Sequence, residues 1–182
     1  MTSILGLKRK SKIYTIGHST HPIDEFINML KSFHVRKLID VRTIPKSGFN
    51  PQYDQEALVQ SLANEKIVYE HMPGLGGLRH AKKDSINLGW RNASFRGYAD
   101  YMQTEEFENS LQELIKEARK KMVAIMCAEA VPWRCHRSLI SDALIVHGLE
   151  VKDIMGIYKE SMHKINPMAM VSKDKIYYPK IV

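Results

Sequence analysis

What this sequence has little of narrows it first. Cysteine is scarce, with two in 182 residues, Cys127 and Cys135. A secreted chain of this length would often carry more, so the cytoplasm is the expected compartment. No apolar run approaches the roughly 20 residues of a bilayer span. The basic lead-in at residues 1–12 has no apolar core followed by a small-residue cleavage site. Neither a membrane partner nor a secretion signal is therefore expected. There is no internal repeat and no low-complexity stretch. Familiar signatures are missing too. The two cysteines are eight positions apart, with no Cys-x-x-Cys pair and no His-x-Glu element. The glycines at 74, 76 and 77 have the spacing of neither a dinucleotide fingerprint nor a Walker loop. A phosphatase-type Cys-x5-Arg loop fails because the sixth position after Cys127 is Trp133. No cofactor and no metal is predicted from spacing, although Cys127, Cys135, His136 and His18 are of the types that ligate zinc or iron.

What is present is an ordinary globular composition with a positive excess. Hydrophobic residues make up 44%, charged residues 26%, and the formal net charge is +7. That is enough chain for one domain with a proper core. The charge favours an anionic partner: nucleic acid, nucleotide or phosphorylated metabolite. The plainer reading is solubility, since the excess is spread rather than blocked.

Hydrophobic periodicity predicts strands at 13–16, 37–41, 66–69, 122–126 and 151–155. Between them lie helical patterns. Pro22 suits a first helical position, followed by Asp24 and Glu25 and by an inward stripe of Ile23, Phe26, Ile27 and Leu30. Asp54 is expected to cap a helix running to about residue 64, with Leu58 and Leu62 inward. A helical turn or more is expected at 98–102. Thr104 is expected to cap the next helix, whose apolar stripe is Phe107, Leu111, Leu114, Ile115 and Ala118. A last helix places Leu139, Ile140, Ala143 and Leu144 inward and stops at Gly148. Residues 78–97 are basic and without a period, which reads as a lid or insertion. Residues 175–179 read as a final short edge strand. Strands alternating with helices predict a three-layer, Rossmann-like α/β sandwich around a mainly parallel sheet of about five strands, formed as one domain over residues 1–182. By the doubly-wound rule strand one lies beside strand four. The loop holding His18 and Ser19 then faces the loop holding Cys127 and Glu129 across the switch point.

Several ordered motifs stand out along this frame: Gly17, His18 and Ser19; Asp40, Val41 and Arg42 with Pro45 and Ser47; Leu75, Gly76 and Gly77; the stretch from Phe95 to Met102; and Cys127, Ala128 and Glu129 with Pro132, Cys135, His136 and Arg137. Together they make the chain resemble the domain-of-unknown-function family 488 over residues 13–180. The resemblance implies a single α/β domain. It implies no particular reaction, so chemistry must be read from the residues.

Cys135 is expected near a helix N-terminus between Arg134 and Arg137. That setting favours a thiolate nucleophile, or a phosphate cradle with Arg137 as a bidentate clamp. The plainer reading is a buried apolar thiol. Cys127, at a strand end, reads as structural. A Cys127–Cys135 disulfide would serve at most as a redox switch. Glu129 is a general base or an arginine's partner, and His136 a base or a helix-end hydrogen bonder. Trp133 stacks on a ligand ring or covers the core. The His18–Ser19 loop suggests a helix cap or an anion site. Arg42 suits an acidic ligand, or pairing with Glu129 or Asp40. Gly76 and Gly77 permit close backbone approach. Arg96 and Tyr98 either close over a ligand or pack. Three functions follow. The preferred one is an enzyme for a phosphate-bearing or nucleotide-like substrate, with Glu129 or His136 moving a proton, Cys135 as nucleophile and Arg42, Arg96 and Arg137 as anion clamps. The others are a nucleic-acid-binding module using residues 79–96, and a metal-binding or redox protein using Cys127 and Cys135.

Overall fold

Three strands with nearly every residue buried, β1 (Lys12–Gly17), β2 (Lys37–Asp40) and β4 (Val123–Cys127), form the centre of the molecule. A computed structural model describes residues 10–181, so most of the basic lead-in lies outside the described residues. With β3 (Val68–His71), β5 (Glu150–Gly156) and β6 (Lys159–Met162) they build a six-stranded sheet in the order β3-β2-β4-β1-β5-β6. All neighbours are parallel except β5 and β6. Strands buried on both faces need apolar side chains on both, and β4 shows it. Val123 and Ile125 belong to one core cluster, Ala124 and Met126 to the other.

Two helices cover the first face. α1 (Ile23–Ser32) and α2 (Gln55–Asn64) press Phe26, Leu30, Leu58 and Leu62 onto Ile16, Leu38 and Met126. The second face carries α3 (Ala93–Tyr101), α4 (Glu105–Lys120) and α5 (Arg137–Val146). There Leu111, Leu114, Leu139 and Leu144 meet Ile13, Ile39 and Ile125. Each such leucine contributes on the order of 2 kcal/mol by leaving water. The result is a three-layer α/β sandwich.

α4 starts as expected, with the Thr104 side chain accepting from the Phe107 N–H at 3.2 Å. The Asp54 side chain does not cap α2. It accepts instead from the Ser47 N–H at 2.8 Å and ties down the loop after β2. β3 begins two residues later than the periodicity predicts. Lys66, at φ +58°, turns the chain out of α2 before the strand can start. α3 begins at Ala93, not 98, because the Asn92 side chain caps it through the N–H groups of Ser94 and Phe95. The tail also differs from expectation. β6 adds a sixth strand, and residues 175–177 form β8 (Lys175–Tyr177), which pairs only with β7 (Met170–Ser172) in a separate hairpin. β6 and β7 are exposed throughout, so no burial period marks them.

The order of the strands places a site. α1 carries the chain from β1 over β4 to β2, and α5 carries it from β4 over β1 to β5. These two connections cross. The adjacent strands whose connections run apart are β2, which leads through α2 out to β3, and β4, which leads through α5 to β5 on the opposite face. The crevice therefore opens beyond the C-terminal ends of β2 and β4, with the end of β1 beside it, rather than between β1 and β4 as the doubly-wound order predicts. Among the described residues no helix is long and apolar enough to cross a membrane.

Candidate functional site

β1 and β4 end together, with Gly17 opposite Cys127. Their ladder runs on past the strands: the His18 N–H donates to the Cys127 carbonyl at 3.0 Å and the Ser19 N–H to the Ala128 carbonyl at 2.8 Å. Gly17 is required here. A Cβ on it would lie 1.9 Å from the Glu129 carbonyl oxygen, so only glycine lets the loop after β4 cross the end of β1. That loop is then fastened from below. Arg137, almost fully buried, donates through its guanidinium to the carbonyls of Glu129 and Ala130 and to Thr15 Oγ1.

Above these ends lies a cleft of about 660 Å³. Its walls come from four places: the loop after β1 (His18, Thr20), the loop after β2 (Arg42 to Asn50), Leu78 with the first turn of α3 (Ser94, Phe95), and the stretch from Cys127 to His136. Cys127, Cys135 and His136 meet on it. One ligand-type atom from each lies within 4.8 Å of the other two. His136 Nδ1 is 3.9 Å from Cys127 Sγ and 3.7 Å from Cys135 Sγ, and both cysteines are free thiols. The other ring nitrogen, Nε2, is 3.1 Å from the Val41 carbonyl. A carbonyl only accepts, so Nε2 carries a hydrogen, and the tautomer this bond selects has its Nδ1 lone pair facing the thiols. Gly77 makes room for this ring, since a Cβ there would come within 2.5 Å of Nδ1.

The two thiols are not equivalent. Cys135 is 4% exposed, whereas Cys127 is only partly buried. The Cys135 S–H, donating to the Cys127 sulfur, draws the Cys127 pKa well below the usual thiol range; His136 and Arg137 add to this against the effect of burial. The same bond, together with burial, pushes the Cys135 thiol up. The acidic thiol is therefore the one at the strand end.

The family model described as Domain of unknown function DUF488 matches residues 22–144, well over half of the chain. The chain belongs to the DUF488 family. No curated protein and no solved structure matches it. The DUF488 match covers Arg42, Gly77, Cys127, Cys135 and His136, while His18 and Ser19 fall just before it.

In this DUF488 protein the arginines singled out by sequence are occupied. Arg42 forks onto Asp40, with Nη2 at 2.6 Å from Oδ2, and also donates to the Tyr53 carbonyl. Burial works against its charge, and the hydrogen bonds to Asp40 more than restore it. Its Nη1 lies 3.4 Å from His18 Nε2. His18 gives its Nδ1–H to the Ser19 carbonyl, stacks on Tyr53 at 4.1 Å, and has its pKa lowered by burial. A neutral His18 is thus a prop for Arg42. Ser19 lies on the cleft wall with its N–H spent in the ladder, and it caps no helix, because α1 starts behind Pro22. Arg96 is bound by the carbonyls of Trp90 and Arg91 and lies off the cleft wall. Tyr98 is fully buried, gives its hydroxyl to the Leu75 carbonyl, and packs its ring 5.0 Å from that of His136. Gly76 packs against Thr43 rather than facing the cleft. Glu129 is exposed on the wall and accepts from the Val131 N–H at 3.3 Å.

Of residues 78–97, expected as a lid, Leu78, Ser94 and Phe95 reach the cleft wall, and the segment between them is stapled in place. The Asp100 carboxylate accepts from the Lys82 N–H, the Ser85 hydroxyl and the Asn87 amide, and Arg79 lies 3.5 Å over the Tyr101 ring. Sequence reasoning missed three groups on the wall: the Cys127 thiol, read as structural, and the exposed cations Lys46 and Arg134. The register of Cys127 against Gly17 is the signal that would have found the first. Nothing in the local pattern separates Lys46 from any loop lysine.

Proposed function

We propose that the cleft is the catalytic site of an enzyme acting on a phosphate-bearing or nucleotide-like anion, with Cys127 rather than Cys135 as nucleophile. The observation that carries this reading is the meeting of two free thiols and one oriented imidazole on a cleft at the switch point of the sheet. The Cys127 proton passes to His136 Nδ1, and the thiolate attacks the electrophilic centre. The bond to the leaving group breaks, and the imidazolium returns the proton to it. Lys46 and Arg134 supply positive charge on the wall, against Glu129 as its one carboxylate among the described residues. Arg42 and Arg137 shape the site, Arg96 stands off it, and anion binding is left to Lys46 and Arg134. Phe49, 99% exposed beside Asn50, and Trp133, exposed beside Arg134, offer faces on which a base ring would stack. A reducing cytoplasm would keep both thiols free.

The test is titration of the full chain with inorganic phosphate and with a nucleoside monophosphate, alongside alkylation of Cys127. Saturable binding that protects Cys127, weakened by about tenfold in a Lys46→Ala, Arg134→Ala double variant, is the expected result. Binding of single strands with a steep salt dependence, indifferent to Glu129→Gln and without protection of Cys127, would instead support a nucleic-acid-binding surface.

A further inference from the structure

We propose that Cys127, Cys135 and His136 form a three-ligand site for a thiophilic divalent cation, Zn²⁺ foremost, whose fourth position opens on the cleft. This goes beyond the thiol reaction proposed above, because the metal would draw on the same sulfur lone pairs and so hold the nucleophile inactive.

Distances argue first. A tetrahedral centre with sulfur at about 2.3 Å and nitrogen at about 2.0 Å sets its ligand atoms roughly 3.5–3.8 Å apart. Each thiol sulfur stands 3.7 or 3.9 Å from His136 Nδ1, and all three atoms fall within 4.8 Å of one another. The sulfur–nitrogen pairs need to close by a few tenths of an ångström and the sulfur pair by up to about one, which rotations about the two cysteine χ1 bonds supply. The tautomer argues second. A metal takes the ring nitrogen that carries no hydrogen, and the other nitrogen of a ligating histidine usually donates to a carbonyl or carboxylate. His136 Nε2 already does so, to the Val41 carbonyl at 3.1 Å. The ring is held there by Gly77 on one side and Tyr98 on the other.

The donor set argues third. Two thiols and an imidazole are soft and borderline ligands, suited to Zn²⁺ over Mg²⁺ or Ca²⁺, which take oxygen. Binding releases one proton from each thiol to solvent, and two thiolates neutralise the added charge. Arg137, fastened to the carbonyls of Glu129 and Ala130, fixes the loop between the two cysteines. Their eight-residue spacing, which matches no paired-cysteine motif, is bridged by that loop and the short turn at Pro132–Arg134. Three protein ligands with an open fourth position is the arrangement of reactive rather than purely structural zinc sites.

The experiment uses the full chain, reduced and freed of metal, titrated with Co²⁺ and then with Zn²⁺. The expected result is one equivalent of Co²⁺ with thiolate-to-cobalt charge transfer and the visible bands of a tetrahedral ion, displaced by one equivalent of Zn²⁺. Cys127→Ser and His136→Gln should each weaken Zn²⁺ binding by at least about tenfold while far-ultraviolet circular dichroism stays unchanged. Should Cys135→Ser fail to fold, these two variants still decide. Binding without charge transfer, or with unchanged affinity in both variants, overturns the proposal. Nucleotide protection of Cys127 in the metal-free protein is read separately, so the metal site and the thiol reaction fail independently.

Discussion

Between β1, β5 and α5 lies a second buried polar cluster, and it differs from the one at Cys127 in how it is closed. There Thr15 donates to Asp153 at 2.6 Å, His163 sits between Asp142 at 2.8 Å and Asp153 at 3.6 Å, and the Tyr178 hydroxyl donates to Asp142 at 2.8 Å. Arg137 joins it through Thr15. Each of these groups has a partner, and the cluster is sealed by the tail that follows β6. The cluster at Cys127 has longer contacts of 3.7 and 3.9 Å and opens on the cleft. Buried polar groups that are fully paired specify a fold; groups left with spare lone pairs beside a cleft are available for chemistry. Arg137 links the two, with Nε in the sealed cluster and both Nη groups under the loop of the open one.

The contrast predicts opposite outcomes for substitutions in the two places. Asp142→Ala should cost about 3–5 kcal/mol in urea unfolding, because it leaves His163 and Tyr178 buried without their acceptor. A loss under about 1 kcal/mol would show that the sealed cluster does not hold the fold. The next effect is a pH dependence. Burial alone would lower the His163 pKa, but the hydrogen bonds to Asp142 and Asp153 push it up to about 9 from 6.5. Its contribution, on the order of 3 kcal/mol, is therefore complete below about pH 6.5 and is lost as pH rises through 9. In His163→Gln that part of the decline between pH 7 and 10 should vanish, and an unaltered profile would refute it.

Smaller effects belong to the open cluster. Gly77→Ala should displace the His136 ring, cost about 1–3 kcal/mol, and slow alkylation of Cys127. Unchanged alkylation would mean that the ring takes no part. Smallest is Cys127→Ser, expected to change stability by less than about 1 kcal/mol while removing the faster-alkylating thiol. If Cys135 proves the faster of the two in the wild type, the assignment of roles is reversed.

Much of this frame was legible in the residues. The unbroken apolar run of β4 and the stripe on α4 reported directly on burial, and the neighbourhood of β1 and β4 followed from connection rules. The same rules put the crevice between β1 and β4, whereas β4 lies between β1 and β2 and the diverging pair is β2 and β4. What stayed hidden was the satisfaction of individual groups. Arg42, Arg96 and Arg137 look identical in sequence to anion clamps, yet Asp40 and five backbone carbonyls take up their donors. Cys127 looked structural because it closes an apolar strand, and only its register opposite Gly17 puts it on the cleft. β6 and β7 consist of exposed residues that carry no period.

The most direct test of the juxtaposition at the cleft is a titration of the reduced, metal-free chain with phenylarsine oxide, which bonds two thiols at once only where they stand together. One equivalent should remove both thiols from reaction with a chromogenic disulfide, and added dithiol should restore them. If one equivalent leaves both cysteines reactive, Cys127 and Cys135 do not meet, and the site described between them does not exist.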